Sequence, residues 1–140
     1  MNTSDERSNV RAFVAAYLEC ALWAETAHGV PEDSGDGTWD TSFESYGLTL
    51  DDISASAKRK AMRDCISFVV ENQRRLYRLV DSRKASWQQL GHDFWLNRNR
   101  HGAGFWDRGY GSTGNKLSEA SHVYGSVDLY VSDNGSIEGF

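Results

Sequence analysis

Apolar residues recur with a helical period over residues 8–28. Phe13, Tyr17, Cys20 and Ala24 fall on one stripe there, widened by Val14, Leu18, Ala21 and Leu22. Ser8 reads as the N-cap of this helix, and Gly29 followed by Pro31 as its stop. A second helical region starts near Asp51 or Ser54 and runs to about Val80. Its apolar side is Ala61, Cys65, Phe68, Val69, Leu76 and Leu79; Arg59, Arg63, Arg74, Arg75 and Arg78 decorate the rest. Between the two helices lies a loop of roughly twenty residues, a length that in compact domains is usually functional or loosely ordered. Asp36-Gly37 marks a turn in it, and Trp39, Phe43 and Tyr46 are expected to pin it to the body.

After a polar break at 81–84, Ser86-Trp87-Gln88-Gln89 reads as a capping box, with Ser86 as N-cap. Trp87, Leu90, Phe94 and Trp95 then follow helical spacing, and Gly91 allows a close helix crossing. Phe94, Leu96 and Arg98 also alternate as a strand would, but a helix ending near Asn99 is the favoured reading. The glycines of 102–108 are poor helix material, so that segment is expected to be extended. A short helix at 115–124 follows, capped by Asn115 and stopped by Gly125. Strands at 127–131 and 136–140 flank the hairpin signal Asp133-Asn134-Gly135. The expected fold is a single α+β domain over 1–140. It has two long N-terminal helices, a shorter third helix, a short fourth, and a small antiparallel sheet of about three strands from 103–107, 127–131 and 136–140. Residues 1–7 read as a flexible tail and 29–52 as a long acidic loop.

Composition narrows the picture. A chain of 140 residues is long enough for one core. It has no apolar run long enough to span a bilayer, and 1–10 is too polar for a secretory signal. Cys20 and Cys65 sit within apolar patterns and read as buried thiols of a cytoplasmic protein. No spacing suggests zinc, and no cofactor is expected. The net charge of -5 is segregated. Glu32, Asp33, Asp36, Asp40, Glu44, Asp51 and Asp52 fall in a stretch without Lys or Arg, whereas 53–84 is strongly basic. Overall acidity argues against broad duplex binding, which rests on phosphate neutralisation, but leaves room for a local basic groove.

The densest chemistry lies in residues 91–108, Gly-His-Asp-Phe-Trp-Leu-Asn-Arg-Asn-Arg-His-Gly-Ala-Gly-Phe-Trp-Asp-Arg. This stretch closely resembles Gly-His-Asp-Phe-Trp-Leu-Thr-Arg-Asn-Gly-His-Gly-Ala-Gly-Phe-Trp-Asp-Arg, a motif of small proteins encoded by tailed bacteriophages and prophages. Ala21-Leu22-Trp23, Asp64-Cys65 before Phe68, and Val127-Asp128-Leu129-Tyr130-Val131 fit the same pattern. The departures are Asn97 for Thr and Arg100 for Gly. With that glycine gone, Asn99 or Gly102 is expected to take the left-handed helix end. The resemblance implies a phage or prophage gene acting in the bacterial cytoplasm, where small accessory proteins often block a host or defence component.

Three functional readings follow. The first is binding of a bacterial protein or protein–nucleic-acid complex, as an inhibitor of an antiviral defence system such as CRISPR or restriction would do. Trp, Tyr and Arg are usual interface anchors. The expected contact residues are Glu32, Asp33, Asp36 and Asp40 on the acidic loop, with Arg74, Arg75, Arg78, Arg98, Arg100 and Arg108. The second is a small hydrolase or nucleotide-handling enzyme using His92, Asp93, His101 and Asp107. On a helix His92 and Asp93 diverge by about 100°, so His101 and Asp107, across a turn, are the better acid/base pair. Ser112, Thr113 and Cys65 are poor nucleophile candidates. The same histidines with a carboxylate are also a conceivable metal set, against the plain reading of histidines hydrogen-bonded in a tight glycine corner. The third is a single-strand nucleic-acid binder that stacks bases on Trp95, Phe105, Trp106 and Tyr110 beside the arginines; the same aromatics read equally as core.

Overall fold

Helix α1 spans Thr3–Ala24, longer at its start than the periodicity implies, because Asp5 and Glu6 sit in its first turn and complement the helix dipole. The structure, a computed structural model, describes residues 3–27 and 42–140. Past α1, Thr26 bridges Ser42 antiparallel, which sets the end of α1 beside the segment that begins at Ser42. Phe43 is fully buried, as expected of an anchor; Trp39 lies outside the described residues.

The single second helix expected from sequence is two: α2 (Ala55–Glu71) and α3 (Gln73–Asp81). Ser54 caps α2 through its side chain, accepting from the Ala57 amide at 3.1 Å. The break falls at Asn72, whose backbone has φ −114° and ψ 19°. Its buried side-chain amide donates to the Phe68 carbonyl at 2.9 Å, beside the main-chain bond from Asn72 N to the same oxygen at 3.0 Å. A short polar side chain thus shares that carbonyl with the helix ladder.

Helix α4 (Trp87–Arg98) is the centre of the fold. Ser86 caps it, accepting from the Gln89 amide at 3.1 Å; Gln89 does not reach back to complete the box but donates to Asp93 at 3.0 Å. Gly91 lets α4 lie directly on α1, since a Cβ there would collide with the Phe13 carbonyl. Gly91→Ala is therefore expected to cost about 1–3 kcal/mol, the usual penalty of overpacking, as a lowered urea midpoint with unchanged slope; no shift would mean that the crossing tolerates displacement.

Helix α4 ends in a Schellman motif. His101 N donates to Leu96 O at 3.0 Å and Arg100 N to Asn97 O at 3.1 Å. Arg100 itself occupies the left-handed position with φ 56°, whereas Asn99 does not; Gly102 follows at φ 76°. Arg100→Gly is expected to stabilise by about 1 kcal/mol by relieving the left-handed strain of a side-chain-bearing residue, read as a raised melting temperature.

Residues 103–107 form no strand. Phe105–Asp107 is a 3-10 turn because side chains take up the amides that a sheet ladder would use. Gly104 N donates to Asp107 Oδ1 at 2.9 Å, and Phe105 N to Asn97 Oδ1 at 2.6 Å. Helix α5 (Ser112–His122) follows, starting three residues earlier than expected. The sheet is a two-stranded antiparallel pair, β1 (Tyr130–Val131) with β2 (Ile137–Glu138). Its extra neighbour is Ile53, which makes an isolated parallel bridge to Ile137, with Ser54 N donating to Ile137 O at 3.1 Å. The architecture is α+β, mostly helical, with two strands instead of about three. No helix among the described residues is long and apolar enough to cross a membrane.

The core joins α1, α2, α4 and the 3-10 turn through aromatics. Phe94 stacks on Phe68 with centroids 4.2 Å apart and meets Tyr17 at 5.3 Å and Phe13 at 5.9 Å. Phe105 stacks on the other part of Phe68 at 5.7 Å. Cys20 and Cys65 are free, buried thiols within this core; burial pushes Cys20 up to about 12 and Cys65 well above its ordinary value, so both stay protonated.

Candidate functional site

The four residues expected to form an acid/base cluster split: His92 and Asp93 lie side by side, not diverging as helix geometry suggests, whereas His101 and Asp107 go elsewhere. Asp93 is fully buried on α4. Its Oδ1 accepts from Gln89 and from both Nη2 (2.9 Å) and Nε (3.2 Å) of Arg108; its Oδ2 has no partner. Burial raises its pKa, opposed by the Arg108 hydrogen bonds. His92 is half-buried, its Nδ1 4.0 Å from Asp93 Oδ1, too far for a hydrogen bond. Burial lowers the His92 pKa, which favours the neutral ring, and that ring lies against Trp23 with centroids 5.7 Å apart.

His101 pairs with Glu25, not with Asp107. Its Nε2 meets Glu25 Oε1 at 2.5 Å, and the same oxygen accepts from Trp95 Nε1 at 2.9 Å. Glu25 just follows α1, so this contact ties the ends of α1 and α4 together. Asp107 caps its own turn through Gly104. The expected nucleophiles are no nearer: Cys65 is in the core, and Ser112 and Thr113 open α5. Among the described residues, no three His, Cys, Asp or Glu side chains are placed to hold a metal.

The stacking platform also dissolves. Trp95 and Phe105 are fully buried and Tyr110 nearly so; of the set, only Trp106 is exposed. They are core, as the plainer reading had it, with Trp106 the exception.

The six arginines divide. Arg98, expected as a contact residue, is 2% exposed. Its Nη1 donates to Asp64 Oδ2 at 2.8 Å and to the Tyr17 hydroxyl at 3.0 Å. Nη2 donates to the Tyr124 carbonyl at 2.8 Å and Nε to the Gly125 carbonyl at 2.9 Å. All its reach is spent inside, because a planar fork of five donors can satisfy converging acceptors that no other side chain can. Arg108 is half-exposed but committed to Asp93. Arg100 is exposed at the α4 terminus.

Arg74, Arg75 and Arg78 remain. They line a cleft of about 510 Å³ between the α2–α3 junction and the start of α5, together with Lys116, Ser112 and Thr113. Arg74, Arg78 and Lys116 are exposed and Arg75 half-buried. None of the four cations makes an ion pair among the described residues. Glu71, the carboxylate in this lining, accepts from the Tyr124 hydroxyl at 3.3 Å. Val70, also in the lining, continues along α2 into exposed Ile66 and Met62, at helical spacing on its outer side. Glu32, Asp33, Asp36 and Asp40 lie outside the described residues.

Sequence reasoning did not find Lys116, Asp64, Glu25 or the Met62–Ile66–Val70 stripe. The stripe had a readable signal: apolar residues at i, i+4 and i+8 on the basic side of a helix whose opposite side already supplies a core. Lys116 and Asp64 had none, since only tertiary packing brings them to the cleft and to Arg98. Comparison with protein-family models, with curated proteins and with solved structures finds no match for this chain.

Proposed function

We propose that this chain is an accessory protein of a tailed bacteriophage or prophage. It acts in the bacterial cytoplasm by binding a bacterial protein or protein–nucleic-acid complex, as an inhibitor of a defence system such as CRISPR or restriction. The phage origin rests on the resemblance of residues 91–108. The binding reading rests on one observation: four cations gathered around one cleft of a net-acidic chain, without ion pairs among the described residues. Such a cluster repels itself in the free protein and is relieved by an anionic partner; charge complementarity of this kind steers association and fixes register. The adjoining Met62, Ile66 and Val70 give the same face an exposed apolar margin, which the protein part of a complex would cover. The separation of His101 from Asp107, the better acid/base pair, supports binding over catalysis.

The test is affinity capture from a bacterial lysate, with and without nuclease, by the wild type, by R74E/R75E/R78E and by H101A/D107N. A stoichiometric partner held by the wild type and by H101A/D107N, and lost from the charge-reversed protein, is the expected result. A partner retained by the charge-reversed protein and lost with the His101 variant would place function at the motif instead.

A further inference from the structure

We infer that the cleft between α3 and α5 is a phosphate site that receives a phosphodiester of the partner's nucleic-acid component, an inference that rests on the binding reading above. Its lining is almost entirely hydrogen-bond donors. Arg74, Arg75 and Arg78 supply guanidinium groups, Lys116 an ammonium, and Ser112 and Thr113 hydroxyls. The basic cluster carries the argument, and the start of α5 adds to it: Gly111 stands at the cap position and has no side chain to satisfy the first amides of the helix. Among the described residues Glu71 is the one carboxylate in the lining; it lies 3.3 Å from the Tyr124 hydroxyl, keeps its charge, and is outnumbered by four cations.

Several donors converging from two helices suit a tetrahedral anion with several oxygens better than the planar pair of a carboxylate. Among the described residues no aromatic side chain lines the cleft to stack on a base, so recognition falls on the backbone and is indifferent to sequence. The net charge of -5 confines the attraction to this cleft and limits it to a few phosphates.

The test is titration of the ¹⁵N-labelled full chain with inorganic phosphate, with a thymidine trinucleotide and with a Glu-rich hexapeptide, in the wild type, in R74E/R78E and in K116A. The expected result is saturable amide shifts at Ser112, Thr113 and Lys116 with phosphate in the millimolar range. The trinucleotide should bind at least about tenfold tighter and lose roughly sevenfold in affinity between 50 and 200 mM salt, as its two neutralised phosphodiesters require. Both variants should lose the shifts, K116A serving as a second check at an exposed side chain. Saturation by phosphate with no gain for the trinucleotide overturns the nucleic-acid source. Shifts from the hexapeptide alone overturn the phosphate site and assign the cleft to an acidic protein surface, leaving the binding reading in place. Silence toward all three probes, in a protein that still captures its partner through this face, overturns the inference alone; a capture indifferent to R74E/R75E/R78E overturns the binding reading with it.

Discussion

Arg98→Met is expected to lower the unfolding free energy by about 3–5 kcal/mol, the cost of removing one member of a buried ion pair. The guanidinium joins four parts of the chain: Asp64 on α2, Tyr17 on α1, the Tyr124–Gly125 turn after α5, and its own helix α4. Removing it orphans two carbonyls and a hydroxyl and leaves Asp64 with Lys60, at 3.3 Å, as its remaining cation. Arg98→Lys should recover little, because a single ammonium cannot span acceptors arrayed around a planar fork. Urea unfolding with tryptophan fluorescence measures both. A loss below about 1 kcal/mol for the methionine variant would mean that the network only breaks even against a well-packed apolar side chain, the outcome some buried ion pairs have given.

The second large effect is expected from Phe94→Ala, at about 3–5 kcal/mol. Phe94 is fully buried and touches the rings of Phe68, Phe13, Tyr17 and Tyr124, so truncation opens a cavity whose walls belong to four elements. Close-packed interiors relax only partly around such a hole, hence a cost above the transfer energy of the ring. Calorimetry of the folded variant measures it. A melting temperature within a few degrees of the wild type would show that the aromatic layer repacks.

These two expectations bear on how residues 91–108 are read. Periodicity placed α4 and its Ser86 cap, since the capping oxygen and the apolar spacing act within one turn of chain. It also placed α1, α5 and the hairpin at Asp133-Asn134-Gly135. It misjudged 103–107 because Asn97 and Asp107 take the amides of Phe105 and Gly104, and a side chain reaching across a turn leaves no periodic trace. Arg98 reads in the sequence as a contact residue because arginine is a usual interface anchor, and arginine is rarely buried. The exception depends on Asp64, 34 residues earlier, and on two carbonyls after α5. Titratable side chains packed among aromatics suggested a chemical site. Their partners show a different use: Arg98, Asp93, Asn97 and His101 are each tied to another element, and the motif is the joint of the fold. The cleft was half legible. Arg74, Arg75 and Arg78 stand out in the sequence, whereas Lys116 joins them only through the packing of α5.

The central claim is that the motif holds the fold while the cleft meets the partner. It is tested most directly by measuring unfolding free energy and partner capture together on R74E/R75E/R78E. The account expects stability near that of the wild type, since no ion pair among the described residues is lost, and capture abolished. Undiminished capture by a folded, charge-reversed protein would contradict it.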